Sequence, residues 1–335
     1  MSTAYRWIHR VWYEGAASGW LLLPLGVLYG LLLKLRGLLF DVGIFRSYKA
    51  EAPVIVVGNI TAGGTGKTPT VIWLVQALRA EGFTPGIVSR GYGGSHSGAA
   101  MRVDAHSDTS LVGDEPVLLA KRGQCPVVVD ADRVRATAML IEDGVNLIIA
   151  DDGLQHRRLQ RDFEICVVDG ERGLGNRRLL PAGPLREPVS RLETVDQVLV
   201  NGTNDLANAM AFELRAMDAC RLNGSLARPL EGFKDMTVHA VAGIGNPKRF
   251  FDLLRSHGIQ VIEHEFPDHA EISLSELDFD DTFDVFMTEK DAVKLDGHLS
   301  DKYWHVPVDF YMDTEKSKLL IEHIVLRLQS YGDQR

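Results

Sequence analysis

From Val54 onward, short strand-like runs of apolar residues alternate with longer helix-like runs. The strand candidates are rich in valine and isoleucine and are apolar on both faces, which is typical of parallel strands buried between helical layers. They lie at 54–57, 85–89, 127–129, 146–150, 164–168 and 197–200, with helices predicted at 70–80, 115–121 and 133–142. The alternation indicates an α/β fold with a parallel sheet, and functional residues are expected after the carboxyl ends of the strands.

The N-terminal segment has a different pattern. Residues 16–33 carry no charge and are dense in leucine, so their length is at the short end of what spans a bilayer. Pro24 and several glycines weaken this segment as a helix, basic residues flank both sides, and no small-residue cleavage site follows. We therefore predict a membrane-associated hairpin or interfacial helix; a true span and a helix buried on the core are the alternatives.

A glycine-rich loop follows the apolar run 54–57, and Lys67 and Thr68 then open a helix. Glycines in such a loop let backbone N–H groups face a phosphate, and the helix N-terminus adds positive potential. Lys67 can reach the β- and γ-phosphates, and the Thr68 hydroxyl is placed to ligate Mg²⁺. Thr61 stands where the general motif has its first glycine. The loop nonetheless predicts a nucleoside triphosphate site formed by Thr61, Ala62, Gly63, Gly64, Thr65, Gly66, Lys67 and Thr68.

A second, smaller unit is predicted in the C-terminal part of the 335-residue chain. The first sheet is expected to end near Asn201, and residues 202–232 are predicted to form an irregular connector. Strands at 237–241, 261–265 and 283–287 then accompany helices at 247–256 and 315–328. The predicted organisation is a membrane-associated segment at 1–45, a P-loop NTPase-like core at 46–205 and a smaller α/β domain at 206–335.

Charge is unevenly distributed along the chain. The net charge is −9, but residues 1–50 carry six basic against two acidic side chains, which is +4 and leaves −13 for the rest. An acidic body argues against nucleic acid as the main partner, whereas a basic N-terminus suits an anionic membrane surface. Three scattered cysteines without a C-x-x-C motif suit a reducing cytoplasm. No obligate protein partner is inferred.

Acidic residues follow two of the predicted elements. Asp151 and Asp152 end an apolar strand, as a Mg²⁺-binding Walker B element requires. Adjacent residues of a strand point to opposite faces, so one of the two should serve the metal more directly. Asp114 precedes a helix and a proline, and for this residue alone a helix N-cap is the simpler interpretation.

Other candidates lie in turns and loops. Arg90 and Tyr92 end the second strand in a glycine turn that is apt for a polar substrate, and Arg186 and Glu187 lie in a proline-bounded loop. That loop suits ligand or metal positioning, although an exposed turn is equally open. His269 is a lone histidine in the second unit, and such a residue is usually structural.

Several motifs occur together in one order. They are GNITAGGTGKTP at 58–69, SRGYG at 89–93, GDEP at 113–116, DDGLQH at 151–156, GPLRE at 183–187 and TEKDAVK at 288–294. In sequence and order they closely resemble the tetraacyldisaccharide 4′-kinase (lipid A 4′-kinase) family, whose own loop also lacks the first glycine. The resemblance extends from the apolar N-terminus to about Lys294.

This resemblance implies ATP- and Mg²⁺-dependent phosphorylation of the 4′-hydroxyl of a tetraacylated glucosamine disaccharide 1-phosphate, in lipid A and lipopolysaccharide biosynthesis. It implies a peripheral or monotopic enzyme at the cytoplasmic face of the bacterial inner membrane, with a small domain that closes over the nucleotide. It also implies site roles: catalysis by Asp114 and His269 as a dyad beside Lys67, metal binding by Thr68, Asp151, Asp152 and Glu187, and substrate or phosphate contacts by Arg90, Tyr92 and Arg186.

A membrane-associated ATPase switch like MinD or ParA is the alternative function. Such switches carry a second, signature lysine early in the loop, and here no lysine lies between Glu51 and Lys67. A GTPase is disfavoured because the base-reading N-K-x-D motif is absent from the sequence.

Overall fold

A computed structural model describes residues 3–96, 98–203, 206–295 and 300–332. The helices are α1 Thr3–Tyr13, α2 Leu23–Asp41, α3 Lys67–Ala80, α4 Thr109–Val112, α5 Asp114–Gly123, α6 Arg133–Glu142, α7 Pro247–Ser256, α8 Glu289–Ala292 and α9 Thr314–Gly332. The strands are β1 Val54–Gly58, β2 Pro85–Ser89, β3 Met101–Val103, β4 Val127–Val129, β5 Leu147–Asp151, β6 Phe163–Asp169, β7 Gln197–Asn201, β8 Ala209–Ala216, β9 Ala219–Arg221, β10 Ala227–Arg228, β11 Thr237–Ala242, β12 Gln260–Glu265, β13 Asp284–Thr288, β14 Tyr303–Val306 and β15 Val308–Tyr311.

The larger sheet has the strand order β15-β8-β7-β6-β1-β5-β2-β4-β3. All pairs from β8 to β4 are parallel, and β15 and β3 add antiparallel edges. The predicted α/β fold with a parallel sheet is confirmed. Because the inner strands are parallel, the loops that follow β1, β2, β5, β6 and β7 emerge at one edge of the sheet.

Strand β1 shows how this sheet is buried on both faces. Its side chains alternate, so Ile55 and Val57 face one core and Val54 and Val56 the other. The first core includes apolar residues of α3, α5 and α9, whereas the second is formed with α6 and the long segment between β5 and β7. A run that is apolar at every position is therefore required here.

The larger sheet does not end near Asn201, so that prediction is wrong. Strand β8, from the predicted irregular connector, pairs parallel with β7, and β15 pairs with β8. Strand β8 was missed because its residues alternate in exposure toward the edge of the sheet and lack a continuous apolar run. Helix α9 packs in the core on one face of the larger sheet. The segments 209–216 and 308–311 are therefore strands of the larger sheet and 314–332 packs against it, whereas the sequence placed all three in the smaller domain. The predicted boundary between the two domains follows residue 205, and residues 204–205 lie outside the described residues.

The smaller sheet has the order β10-β9-β14-β13-β11-β12, with parallel pairing among β14, β13, β11 and β12. Helix α7 covers one face through Phe250, Phe251 and Leu254. Ile272 and Leu277 lie in the core of the other face. This sheet carries the loops that approach the larger sheet at its functional edge.

Helix α2 lies on the outside of the molecule. Within the described residues, Ser18–Asp41 is the helical stretch that is long and apolar enough to cross a membrane, with a mean hydropathy of 1.6. Its buried residues are Gly26 and Gly37, whereas six of its leucines are 52–58% exposed: Leu25, Leu28, Leu31, Leu32, Leu35 and Leu38. The alternative of a helix buried on the core is therefore wrong. Glycine allows close approach here, since a Cβ at Gly26 would lie 3.1 Å from the Ala182 Cβ.

Candidate active site

The glycine-rich loop between β1 and α3 forms a cradle, defined here as residues 61–68. Gly63 and Gly66 have φ angles of 102° and 100°, which favour glycine, and Asn59 Nδ2 donates to the Gly63 carbonyl at 3.1 Å. Thr61 is buried and forms an antiparallel bridge with Leu185. Such extended pairing suits a β-branched residue, which explains why the first glycine of the general motif is not needed.

Two cations flank one carboxylate beside the cradle. Lys67 Nζ lies 3.6 Å from Asp152 Oδ1, and Arg186 Nη1 donates to Asp152 Oδ2 at 2.9 Å. Burial raises the pKa of Asp152, but the charges of Lys67 and Arg186 outweigh it, so the pKa is lowered. These side chains line a cavity of about 640 Å³ together with Thr68.

Asp151 is the more buried of the two adjacent acids. Ser89 Oγ donates to its Oδ2 at 3.3 Å, whereas its Oδ1 has no hydrogen-bond partner among the residues that the structure describes. Burial, with the charges of Glu115 and Asp152 nearby, raises the pKa of Asp151. An unpartnered buried carboxylate oxygen beside Asp152 is an arrangement that a cation would satisfy.

The acidic residues do not form a complete metal cage. Across the described parts of the chain, no group of three or more His, Cys, Asp or Glu side chains is arranged to hold a metal by itself. Magnesium usually takes one or two protein carboxylates and completes its shell with phosphate oxygens and water, so the donor set fits this ion.

Five predicted site residues lie outside the lining of the 640 Å³ cavity: Thr61, Arg90, Asp114, Asp151 and Glu187. Glu187 accepts a hydrogen bond from Gln155 Nε2 at 2.7 Å and pairs with Arg191 at 3.3 Å. Arg90 is exposed at the end of β2. Neither Glu187 nor Arg90 is among the described residues that line the cavity. Gln155 also donates to the Asn59 carbonyl at 3.0 Å and so connects Glu187 to the strand end before the cradle.

Asp114 and His269 are in direct contact. Nδ1 of His269 lies 3.1 Å from Oδ1 of Asp114, which joins α5 to the loop after β12. Burial raises the pKa of Asp114, but the hydrogen bond with His269 and the charges of Lys290 and Lys294 outweigh it and lower the pKa to about 2. Burial lowers the pKa of His269, but its hydrogen bond with Asp114 outweighs burial and the net pKa is raised.

The position of Asp114 excludes the helix N-cap interpretation. Gly113 is the N-cap residue of α5, so Asp114 is the first residue within the helix. The Asp114–His269 pair borders two cavities: His269 lines the 640 Å³ cavity, and both residues line a neighbouring one of about 520 Å³. The ring of Tyr92 packs edge-on against His269 with centroids 4.9 Å apart.

Several residues that line the cavity were not singled out in the sequence, and three of them, Arg249, Asp169 and Asn201, are in contact with one another. Arg249 donates to Asn201 Oδ1 at 3.1 Å and lies 3.6 Å from Asp169 Oδ2. Asp169 and Asn201 end the adjacent strands β6 and β7, so their positions at strand ends were an available signal. Arg249 comes from α7 of the smaller sheet, and no local motif marks it. Apolar residues complete this wall: Leu214, Ile244, Phe250, Leu253, Val306 and Val308.

Comparison with known proteins assigns the family. The family model described as tetraacyldisaccharide-1-P 4′-kinase matches residues 18–325. The tetraacyldisaccharide 4′-kinase of Nitrosococcus oceani is 49% identical over 303 residues, covering 90% of this chain and 89% of that protein. The kinase of the same name from Aromatoleum aromaticum is 47% identical over 323 residues, covering 93% and 96%.

A solved structure agrees with these relatives. The "apo" form of LpxK from Aquifex aeolicus in complex with ATP matches with a TM-score of 0.77 and 29% identity, covering 92% of this chain and 99% of that one. The predicted family is confirmed, and the alternative of a MinD- or ParA-like switch is not favoured. The chain belongs to the tetraacyldisaccharide 4′-kinase family.

Proposed function

We propose that the protein transfers the γ-phosphate of ATP to the 4′-hydroxyl of a tetraacylated glucosamine disaccharide 1-phosphate in lipid A biosynthesis. This proposal rests on one observation: Lys67 and His269 line the same cavity. A cation of the phosphate cradle thus shares a cavity with a histidine that is hydrogen-bonded to a buried carboxylate. Phosphoryl transfer to an alcohol requires this combination of charge neutralisation and acceptor positioning.

The cradle would hold the triphosphate of ATP. Backbone N–H groups of residues 61–68 and the N-terminus of α3 provide the positive potential, and Lys67 and Arg186 add side-chain cations. The apolar wall that includes Ile244 and Phe250 suits a purine base. ATP would therefore lie between the two sheets, in contact with both.

Thr68, Asp151, Asp152 and Glu187 form the proposed magnesium set, with Glu187 as the outlying member. When bound there, Mg²⁺ would neutralise charge on the β- and γ-phosphate oxygens. The unpartnered Oδ1 of Asp151 and the ionised Asp152 support this assignment.

Asp114 and His269 would act on the acceptor hydroxyl. The acceptor oxygen forms a bond to the γ-phosphorus, the bond to ADP breaks, and the hydroxyl proton passes to Asp114. Nδ1 of His269 lies 3.1 Å from Oδ1 of Asp114, while Oδ2 has no hydrogen-bond partner in the described residues and lies 3.5 Å from Lys294 Nζ. A carboxylate with a low pKa is a weak base, but in a loose transition state the proton leaves late and positioning matters more.

The membrane surface would supply the acceptor. The exposed leucines of α2 and the basic N-terminal segment suit an anionic leaflet, here the cytoplasmic leaflet of the inner membrane. Tyr29 Oη of α2 donates to the Arg186 carbonyl at 3.0 Å, so this helix adjoins the residues beside the cradle. An amphipathic acceptor could then remain partly in the bilayer during transfer.

The test uses purified protein, γ-labelled ATP, Mg²⁺ and the tetraacylated disaccharide 1-phosphate, with thin-layer chromatography of the lipid. We expect the label to appear on the lipid only when the disaccharide is present. ATP hydrolysis without lipid labelling, stimulated by vesicles alone, would contradict the proposal and support an ATPase switch.

A further inference from the structure

Lys290 occupies the junction between the two sheets beside His269. It is the second residue of α8, its side chain is mostly buried, and its Nζ lies 3.4 Å from His269 Nε2. The same ammonium group lies 3.0 Å from Glu115 Oε1 and 3.3 Å from Asp268 Oδ1. Glu115 follows Asp114 in α5, whereas Asp268 precedes His269, so one cation connects the two chain segments that carry the pair.

The contact with Lys290 determines which nitrogen of His269 carries the proton. An ammonium group only donates hydrogen bonds, so Nε2 of His269 must accept and must hold a lone pair. The proton then lies on Nδ1, which donates to Oδ1 of Asp114. A doubly protonated ring would instead direct an N–H group at the ammonium.

We propose that Lys290 is a positioning residue: its contact with Nε2 orients His269 so that Nδ1–H donates to Asp114, and it does so only when α8 contacts α5. This inference rests on the proposed function of the Asp114–His269 pair. It assigns a purpose to part of the TEKDAVK segment at 288–294, which had no role in the chemistry considered above.

The groups around His269 shift its pKa in opposite directions. The groups that face the ring are Asp114 from α5, Asp268 from its own loop, Lys290 from α8 and the ring of Tyr92. The two carboxylates favour the protonated imidazole, whereas burial and the charge of Lys290 oppose it. Without the cation, burial alone would oppose the effect of the carboxylates, and the pKa of His269 would rise further.

A second ion pair across the same helix contact offers a matched control. Arg122, the penultimate residue of α5, donates to Glu289 at 2.8 Å and also contacts Asp309 of β15. It touches neither Asp114 nor His269. Lys294 is unsuitable as a control because its Nζ lies 3.5 Å from Asp114 Oδ2.

The experiment compares Lys290→Met, Lys290→Arg and Arg122→Gln in the full-length protein. We measure kcat and the KM values for ATP and for the lipid acceptor. We also follow the imidazole ¹⁵N chemical shifts of His269 as a function of pH, and His269→Gln identifies which signals belong to this residue. We expect Lys290→Met to lower kcat by about 10- to 100-fold, the cost of a slightly misplaced catalytic group, with little change in the KM for ATP. The His269 titration should move to higher pH, Lys290→Arg should restore most of kcat, and Arg122→Gln should leave the titration unchanged.

Two results would overturn the inference. One is a near-wild-type kcat in Lys290→Met. The other is an equal loss of kcat in Lys290→Met and Arg122→Gln with an unchanged His269 titration, which would show that Lys290 only holds α8 against α5. If Lys290→Met does not fold, Lys290→Gln, which also removes the charge, takes its place with the same expected loss of kcat and the same expected shift of the His269 titration. Loss of rate in Asp114→Ala and His269→Ala but not in Lys290→Met would remove this inference and leave the proposed function standing.

Discussion

The phosphate cradle comes from one continuous stretch, residues 61–68, whereas the Asp114–His269 pair joins positions 155 residues apart. The cradle conformation depends on left-handed glycines, on the start of α3 and on contacts such as the Thr61–Leu185 bridge, all within the part of the chain that forms the larger sheet. The pair exists only where α5 of the larger sheet meets a loop of the smaller one. The cradle can therefore form without the smaller sheet, but the pair cannot.

This difference divides the site into a nucleotide end, which is the cradle, and an acceptor end, which is the Asp114–His269 pair. Nucleotide affinity should depend mainly on the cradle and its cations, Lys67 and Arg186. Activation of the acceptor should depend on Asp114, His269 and the contact between the sheets. Substitutions at the two ends should therefore change different kinetic constants.

The largest effect is expected at the acceptor end. Asp114→Ala and His269→Ala should each lower kcat by roughly 10²- to 10⁴-fold, the usual range for general acid–base groups, while the Kd for ATP changes little. Rapid-quench kinetics and nucleotide titrations measure the two quantities. A lowered melting temperature with near-normal kcat would instead indicate a structural role for the pair.

A smaller effect is expected at the cradle. Lys67→Ala should lower the rate by about 10²- to 10³-fold, because it removes a cation from the transferring phosphate, and it should also weaken ATP binding. Lys318→Ala, which removes a lysine whose side chain is 76% exposed on α9, is the matched control and should have no effect. More than about a tenth of wild-type activity in Lys67→Ala would contradict the cradle assignment.

A third variant tests the supply of the acceptor. Replacing Leu28 and Leu32 of α2 with glutamine should raise the KM for lipid in vesicles by about tenfold or more, because each leucine buried in lipid contributes about 1.5 kcal/mol or more. Deleting residues 1–45 should act in the same direction and release the protein from membranes.

The control for this prediction replaces Leu319 and Leu326, which are 58% and 68% exposed on α9. These changes should leave vesicle binding unchanged in a sedimentation assay. Equal effects of the α2 and α9 substitutions, or continued sedimentation of the deletion variant, would show that the membrane contact lies elsewhere.

The smallest effect concerns stability. The pKa of Asp114 is lowered from 3.8 to about 2 in the folded state, so its contribution of about 2 kcal/mol is present above pH 4 and is lost as pH falls toward 2. Between pH 5 and 3, the melting temperature of the wild type should fall more than that of Asp114→Asn. Parallel curves for the two proteins would contradict the low pKa.

Much of the larger sheet could be predicted from the sequence. Its inner strands are buried on both faces and therefore read as continuous valine and isoleucine runs, as β1 and β5 show. The cradle was equally clear because its glycines and Lys67 are neighbours in the chain. Asp151 and Asp152 were recognisable because they end a buried strand.

Features that depend on distant contacts were not predictable from local patterns. Strand β8 has a single buried residue, and α9 joins the core of the larger sheet although it follows the strands of the smaller sheet in the chain. His269 is a lone histidine in its segment, and only the family resemblance suggested its partner. Lys290 lies in a short charged helix whose purpose is visible only once Glu115 and His269 are in contact with it.

The central claim is that Asp114 and His269 act as one unit on the acceptor hydroxyl. The most direct test is the single-turnover rate of phosphate transfer for Asp114→Ala, His269→Ala and the double variant at saturating ATP. If the two residues act together, the double variant should be scarcely slower than the slower single variant. Rate losses that multiply in the double variant would contradict the claim and show that the two residues act independently.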